Sequence, residues 1–130
     1  MVTGGKGVHV IAPLTPRAEW PQVKDFALRL AQFVAQDDPK RFTSALPKTQ
    51  RRGRIFVDYL RNQRGATAVV PYSARARAGA PISAPISWTE MKTIETPAHF
   101  HIGNGPEMVR RAASKTLIGW GRAEQVLPDL

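Results

Sequence analysis

Two short stretches of the sequence combine residue types that can hold a phosphate group or a metal ion. The first is Thr3-Gly4-Gly5-Lys6-Gly7. Glycines let backbone N–H groups approach an anion, a hydroxyl can donate a hydrogen bond, and a lysine adds a mobile positive charge. The stretch has neither the GxxxxGK[ST] spacing of a Walker A loop nor the GxGxxG spacing of a dinucleotide fold. It therefore indicates either a phosphate loop of another kind or a tight turn that binds nothing.

The second stretch places one carboxylate among apolar residues, in Ile55-Phe56-Val57-Asp58-Tyr59-Leu60. A carboxylate is costly to bury unless it is paired with a cation or binds a metal ion. Arg54 and Arg61 flank the stretch, so a structural salt bridge is one interpretation of Asp58 and a metal site is the other. Phosphoryl transfer with two metal ions needs several converging carboxylates, and Asp58 alone does not supply them.

Basic residues are concentrated in the middle of the chain. The 130 residues include 19 Lys plus Arg against 10 Asp plus Glu, which gives a net charge of +9. Arginine presents a planar fork that matches pairs of phosphate oxygens, so an arginine-rich surface favours a nucleotide or nucleic-acid ligand. An ordinary solvated basic face is the alternative. Between positions 48 and 89 one acid, Asp58, stands among eight basic residues: Lys48, Arg51, Arg52, Arg54, Arg61, Arg64, Arg75 and Arg77.

Other residues that could do chemistry give weaker signals. His99 and His101 are two apart with no obvious third ligand, so we interpret them as surface histidines. Three tryptophans, at positions 20, 88 and 120, are expected to anchor the core. The chain has no cysteine, which excludes disulfides, thiolate zinc sites and cysteine nucleophiles and favours a reducing, cytoplasmic setting. No stretch approaches the length of a membrane span, and no serine stands in a G-x-S-x-G elbow.

The elements that would position these residues can be outlined from apolar spacing. One domain with a packed core is expected at this length. Apolar residues three and four apart, with Pro21 in the first turn, predict a helix over 19–36. Short runs rich in β-branched residues predict strands, the last two as a hairpin. We predict strands at 7–14, 54–60 and 66–70, a turn with one short helix at 42–50, an ordered surface loop at 72–85, one helical turn at 88–93 and a helix at 106–114.

Several stretches taken together, in this order, resemble the polymerase domain of bacterial DNA ligase D, in the archaeo-eukaryotic primase superfamily. The resemblance covers nearly the whole chain; it is clearest within residues 1–95, which carry the motifs, and looser over 96–130. It implies an α+β fold, with a mixed or antiparallel sheet and flanking helices. The matching stretches are Thr3-Gly-Gly-Lys-Gly-Val-His9-Val, Asp38-Pro-Lys-Arg-Phe42, Arg52-Gly-Arg-Ile-Phe-Val-Asp58-Tyr-Leu-Arg-Asn62, Gly65-Ala-Thr-Ala and Pro71-Tyr-Ser-Ala-Arg75-Ala-Arg77.

The resemblance also implies a function. Ligase D polymerase domains serve bacterial non-homologous end joining, in which they add nucleotides, preferably ribonucleotides, to broken DNA ends beside Ku and a ligase module. Asp58 matches the last of three aspartates that bind Mn²⁺ or Mg²⁺. Arg51 matches a loop arginine associated with the template and with assembly of the active centre.

The remaining matches concern the nucleotide. Thr3 and Lys6 match the triphosphate loop, in which the family usually has serine at the position of Thr3, and this change keeps the hydroxyl. His9 matches the motif histidine near that site. Arg75 and Arg77 match arginines that grip the phosphates of the nucleotide.

One departure from the family pattern is important. The first two metal aspartates, the aromatic residue that stacks on the incoming base and the pocket for a 5′-phosphate all lie upstream of the triphosphate loop in the family. We therefore expect residues 1–130 to form a single partial domain, the C-terminal part of the fold, that does not polymerise alone. It would bind a ribonucleoside triphosphate and DNA ends, associate with a chain carrying the other part, or self-associate. The alternatives are an accessory module that binds DNA ends or a partner without catalysis, and a gene remnant.

Overall fold

The computed structural model describes residues 1–122 and 124–128, which divide into two compact units. The first unit contains the described residues of Met1–Pro13 and Val69–Ala123. The second contains those of Leu14–Ala68 and Glu124–Leu130. In this part of the chain no helix is long and apolar enough to cross a membrane.

The core of the first unit is built around one extended segment, residues 81–86, in which every residue is buried. Ile82, Ala84 and Ile86 alternate along this segment and pack against other buried apolar side chains, Val2, Phe100 and Met108. Its main chain exchanges two hydrogen bonds of 3.0 Å between Val2 and Ala84, and Ile82 N donates to Phe100 O at 2.8 Å. The apolar side chains thus form one core, although only isolated backbone bridges surround the segment.

The prediction of a surface loop over 72–85 is therefore wrong for its second half. Pro81 and Pro85 have no N–H groups, so they interrupt the backbone ladder and give the segment the sequence pattern of a loop. Ser83 is completely buried, and its Oγ donates to Val70 O at 2.6 Å and accepts from Ser73 N at 3.2 Å. The buried Ser83 hydroxyl thus gives the main-chain groups Val70 O and Ser73 N a hydrogen-bond partner.

The second unit contains helix α1, Trp20–Asp37, which confirms the helix predicted over 19–36. It starts with a capping box in which Glu19 and Gln22 bind each other's backbone N–H groups. It packs against strand β1, Phe42–Thr43, which pairs in parallel with strand β2, Ile55–Phe56. A 3₁₀ helix, Lys48–Arg51, lies between the two strands and confirms the short helix predicted within 42–50.

The predicted strands are mostly wrong. Of residues 54–60 only β2 is a strand, residues 66–70 form none, and the expected hairpin is replaced by the parallel β1–β2 pair. Residues 7–14 contribute isolated bridges, in which Val8 faces Val2 and Leu14 faces Gln125. An apolar run becomes a strand only where another backbone edge lies beside it, and periodicity does not show where such edges are.

Two α-helices in the first unit confirm the helices predicted near 88–93 and 106–114. They are α2, Trp88–Met91, capped by Ser87, and α3, Gly105–Ala112. Short 3₁₀ helices, Ile102–Asn104 and Lys115–Leu117, flank α3. Both α-helices start at residues that favour a helix N-terminus. The Ser87 hydroxyl caps α2 by accepting a hydrogen bond from Glu90 N, and Pro106 lies in the first turn of α3.

An ion pair joins these two helices to the core segment. Arg111 of α3 binds Glu90 of α2 through two nitrogen–oxygen contacts of 2.5 and 3.2 Å, and the same guanidinium donates to Pro85 O at 2.8 Å. It also lies 4.7 Å from the centroid of the Phe100 ring. The Arg111 hydrogen bonds hold the pKa of the Glu90 carboxyl at about 2, below its ordinary value of 4.5.

The tryptophans do not all serve as core anchors. Trp20 is 51% exposed and Trp88 is 76% exposed, so the prediction is wrong for these two, whereas Trp120 is half-buried. His99 and His101 are exposed, as predicted.

Removing the charge of Glu90 tests the importance of the ion pair. We expect Glu90→Gln to lower the free energy of unfolding by about 2 kcal/mol at pH 7, because Arg111 keeps its partly buried charge without a partner. The lowered pKa means that this stabilisation is complete above pH 4.5 and is lost as the pH falls towards 2. Urea unfolding followed by circular dichroism at pH 7 and pH 3 measures both effects.

Glu95→Gln is the matched control, because Glu95 is an exposed acid of the same unit. It should change the free energy of unfolding by less than about 0.5 kcal/mol. Equal loss of stability between pH 7 and pH 3 in the wild type and in Glu90→Gln would contradict the role given to this carboxylate.

Candidate functional site

Residues 3–7 form the tip of a tight hairpin. Val2 faces Val8 in an antiparallel bridge, and His9 N donates to Met1 O at 2.9 Å. Inside the tip, the Thr3 hydroxyl donates to Gly7 O at 2.6 Å and accepts from Gly5 N at 3.1 Å. The buried Thr3 side chain thus fixes the loop from within, and its hydroxyl is already used by the loop.

The outer side of this loop has unpaired donors. The exposed Lys6 ammonium forms no hydrogen bond or ion pair in the part of the chain that the structure describes, and neither do the N–H groups of Lys6 and Gly7. Gly4 N, in contrast, donates to Pro97 O at 2.9 Å. The loop therefore offers one cation and two backbone donors to a ligand.

Two arginines that are distant in sequence lie against the same loop. Arg75 is half-buried, and its Nη1 donates to Thr3 O at 2.9 Å. Arg77 is exposed, and a Cβ atom placed on Gly5 would lie 3.3 Å from its Nη1. The fold thus brings four of the predicted nucleotide-binding residues together: Thr3, Lys6, Arg75 and Arg77.

His9, the fifth predicted nucleotide-binding residue, follows the loop directly. Its half-buried side chain lines a cavity of about 290 Å³. The other walls of the cavity are mostly apolar and include Ile86, Trp88 and Ile118. The sequence alone does not indicate this cavity, because its walls come from three distant parts of the chain.

Asp58 lies in the second unit, in an exposed segment without regular secondary structure after β2, rather than in a buried strand. Its Oδ1 accepts a hydrogen bond from Leu60 N at 2.9 Å. Within the described ranges it forms no salt bridge, since Arg54 donates to the carbonyls of Pro39 and Gln50 and Arg61 to that of Thr67. The salt-bridge interpretation is therefore wrong, and one carboxylate oxygen faces solvent unpaired.

The metal implied by the resemblance needs more ligands than this chain brings together. Among the residues with described positions, no three His, Asp or Glu side chains are close enough to share an ion. Asp58 has the oxygen chemistry that Mg²⁺ or Mn²⁺ prefers, but it is a single ligand. The residues at hand therefore do not form a metal site by themselves.

Arg51 has a clear local role. Its Nε donates to Ala45 O at 3.0 Å, its Nη2 donates to Leu46 O at 2.5 Å, and its guanidinium carbon lies 3.6 Å from the centroid of the Phe56 ring. Arg51 therefore connects residues 45 and 46 to Phe56 of β2, which precedes Asp58 by two residues.

The basic segment divides into two kinds of residue. Four of its members donate to main-chain carbonyls: Arg51, Arg54, Arg61 and Arg75. Four others are exposed, with no side-chain partner in residues 1–122 or 124–128: Lys48, Arg52, Arg64 and Arg77. Charge counting in the sequence could not separate these groups, because the carbonyl partners are set by the fold.

The architecture is that of an α+β polymerase domain. The structure superposes with a TM-score of 0.66 on the solved "Polymerase Domain from Mycobacterium tuberculosis Ligase D in complex with DNA", at 27% identity over 78% of this chain and 34% of that one. The family model described as "LigD, primase-polymerase domain" matches residues 1–116. The chain therefore belongs to the LigD primase-polymerase family, which confirms the resemblance and the fold class predicted from the sequence.

Curated relatives agree with this assignment. The multifunctional non-homologous end joining protein LigD of Pseudomonas aeruginosa is 40% identical over 85% of this chain. The bifunctional LigD protein of Bacillus subtilis is 28% identical over the same share. The matched regions span 13% and 18% of these two relatives. The chain thus corresponds to a small part of each.

The internal hydrogen bonds of the loop can be tested directly. Thr3→Val keeps the shape of the side chain but leaves Gly5 N and Gly7 O without their partner, so we expect it to lower the free energy of unfolding by about 1–2 kcal/mol. Thr3→Ser retains the hydroxyl and should cost less. Urea unfolding of both variants measures the difference, and equal stability would show that the hydroxyl does not hold the loop.

Proposed function

We propose that this chain provides the triphosphate-binding part of a ligase D-type primase-polymerase active site, which transfers nucleotides to DNA ends during non-homologous end joining. The observation that carries the proposal is the position of Arg77 beside Gly5, in the loop that also carries the exposed Lys6. The ligand would be a ribonucleoside triphosphate, as the family resemblance implies.

The chemistry of the loop supports an anionic ligand. Within residues 1–122 and 124–128, Lys6 and Arg77 both carry positive charge without a compensating acid in contact, and the N–H groups of Lys6 and Gly7 are available as donors. A triphosphate has enough acceptor oxygens for all of these groups, and bonds between charged partners are the strong ones. The loop would bind and orient the phosphates, with His9 close by in the chain.

We assign Asp58 the role of one ligand for Mn²⁺ or Mg²⁺ and Arg51 the role of holding the neighbouring loop in place. The metal would neutralise phosphate charge, and the family resemblance places its further carboxylates upstream of the triphosphate loop. We therefore expect this chain by itself to bind nucleotide without polymerising.

The setting proposed is the bacterial cytoplasm, with DNA ends, Ku and a ligase module as partners. DNA binding is supported by the exposed basic residues Lys48, Arg52 and Arg64, which are free to contact phosphate. The same residues favour a second candidate function, an accessory module that binds DNA ends without nucleotide.

A partner for the first unit is supported by its apolar surface. Val10, Trp88 and Ile118, at the rim of the cavity beside His9, are 78%, 76% and 78% exposed. Exposed apolar clusters of this kind mark interaction surfaces. Since this chain spans 34% of the solved polymerase chain, we propose that the rest of such a domain covers them.

Titration of a fluorescent ribonucleoside triphosphate tests the proposed function. We expect saturable binding that Lys6→Ala and Arg77→Gln each weaken roughly tenfold, because each removes a charged contact with phosphate. Mn²⁺ should strengthen binding only when the remaining part of the polymerase domain is present, and Asp58→Asn should abolish that gain. Lys92→Ala is the control, as Lys92 is an exposed lysine of the same unit, away from the loop in sequence. Absence of nucleotide binding together with salt-sensitive DNA binding would favour the accessory module instead.

Co-expression with the remaining part of the polymerase domain from the Pseudomonas aeruginosa relative tests the partner. We expect a one-to-one complex in analytical ultracentrifugation, which Val10→Asp weakens at least tenfold because it places a charge in an apolar contact. Val109→Asp, at an equally exposed position of α3 that does not line the cavity, should leave the complex intact. Self-association of this chain, abolished by Val10→Asp, would identify a second copy as the occupant and contradict the proposal.

A further inference from the structure

We propose that the end of the first unit, residues 110–122, is a further surface that contacts the phosphates of duplex DNA. The inference rests on the proposed function, in which DNA ends are partners. It adds a contact surface that lies outside the triphosphate loop and outside the central basic segment. The side chains that would contact phosphate are Arg110, Lys115 and Arg122.

This stretch carries charge of one sign. Residues 108–122 include four basic side chains, the fourth being that of Arg111, and no acid. Arg110, Lys115 and Arg122 are exposed, and among the residues with described positions none of the three forms an ion pair or a side-chain hydrogen bond. A surface on which cations stand without compensating acids attracts polyanions.

Stability of the fold accounts for two of these four cations but not for the others. The Arg111 guanidinium is bound by an acid of α2 and by a main-chain carbonyl. Arg110 lies in the last turn of α3, where a cation interacts favourably with the helix C-terminus. Lys115 and Arg122 lie beyond the end of this helix, so the helix dipole gives no reason for their charge. Binding of an external anion does.

Two consecutive turns fix the backbone that leads to Arg122. Trp120 N donates to Leu117 O at 3.0 Å, and Arg122 N donates to Gly119 O at 3.1 Å. The third residue of each turn is a glycine with positive φ, +79° at Gly119 and +78° at Gly121. Type II turns require this conformation at that position, and glycine adopts it without strain. A defined backbone therefore presents Arg122.

The apolar side chains of the same stretch have a different role. Leu117 and Trp120 are half-buried and line the cavity beside His9, whereas Lys115 and Arg122 do not line it. The turns are thus anchored on the unit through apolar contacts, while the charged side chains stay in solvent. The surface proposed for DNA and the apolar surface proposed for the protein partner therefore do not compete for the same side chains.

A duplex fits this surface better than a small anion does. The three cations are spread over a helix and the turns that follow it, whereas a small anion is held by donors gathered at one point. Duplex DNA carries one negative charge for about every 1.7 Å of its axis, so separate basic side chains can each meet a phosphate. Each such contact releases counterions, which makes the affinity depend on the salt concentration.

Fluorescence anisotropy of the full chain with a short labelled DNA duplex, measured over a range of salt concentrations, tests this surface. The triple variant Arg110→Gln, Lys115→Gln, Arg122→Gln should bind at least roughly tenfold more weakly. The slope of log affinity against log salt concentration should become shallower by about 2–3, because each lost phosphate contact removes about 0.9.

The matched control removes the same net charge from the start of α1 and the residues before it. It is the triple variant Arg17→Gln, Lys24→Gln, Arg29→Gln, whose cations lie near acids in the sequence, Glu19 and Asp25. We expect its slope to be that of the wild type. Circular dichroism verifies that both triple variants are folded.

Several results would overturn the inference: a wild-type chain that does not bind the duplex, an unchanged slope in the first triple variant, or an equal change in the control. If that triple variant instead weakened only the complex with the remaining part of the polymerase domain, the surface would belong to a protein partner and the inference would also be wrong. If the triple variant does not fold, the three single variants decide, each with a slope change of about 0.9.

The proposed function fails separately. The first triple variant should bind the fluorescent ribonucleoside triphosphate as the wild type does, because none of its changes lies in the triphosphate loop. A chain that binds DNA through residues 110–122 but binds no triphosphate would refute the proposed function only. A chain that binds triphosphate, but whose DNA affinity does not respond to the triple variant, would refute this inference only.

Discussion

The first unit depends on the burial of residues 81–86, a segment that cannot complete a sheet because two of its six residues are prolines. Its side chains form the core with Val2, Phe100 and Met108, while its backbone groups must find partners one at a time. Val2, Phe100, Tyr72, Arg75 and Arg111 supply them. This segment holds the candidate phosphate loop at two points. Val2, which directly precedes the loop, pairs with Ala84, and Arg75 N donates to Pro81 O.

The same need for backbone partners explains how the arginines are used. Arginine has five donors, so it can satisfy several carbonyls at the ends of short or irregular segments. In the second unit Arg51 does this for residues 45 and 46, where β1 has ended and the 3₁₀ helix has not begun. Among the described residues the named strands are two, each of two residues, so many carbonyls lack a ladder partner, and four of the eight basic residues of the central segment donate to such carbonyls. Fewer side chains of this segment are therefore free to contact a ligand than the charge count suggests, although every arginine keeps its charge.

Exposed apolar side chains lie on both units of this chain, which spans 34% of the solved polymerase chain that it matches. In the first unit they surround the cavity beside His9, and in the second they include Phe33 of α1, which is 66% exposed. Within this helix only Ala31 is fully buried.

The local sequence was sufficient to predict the helices and to identify the family. The tertiary structure decided which segments pair as strands and which partner each charged side chain has. The helix over 20–37 follows from its apolar spacing and from Pro21, and α2 and α3 follow from Ser87 and Pro106, because capping and periodicity act within a few residues. The motifs around Lys6, Asp58 and Arg75 were sufficient to identify the ligase D polymerase family. The pairing of β2 with β1, the burial of residues 81–86 and the exposure of Asp58 were not predictable, because each depends on which distant backbone lies alongside. For the same reason, Arg75 and Arg77 look equivalent in the sequence. In the fold, Arg75 donates to Thr3 O, whereas the Arg77 side chain lies beside Gly5 and has no partner among the described residues.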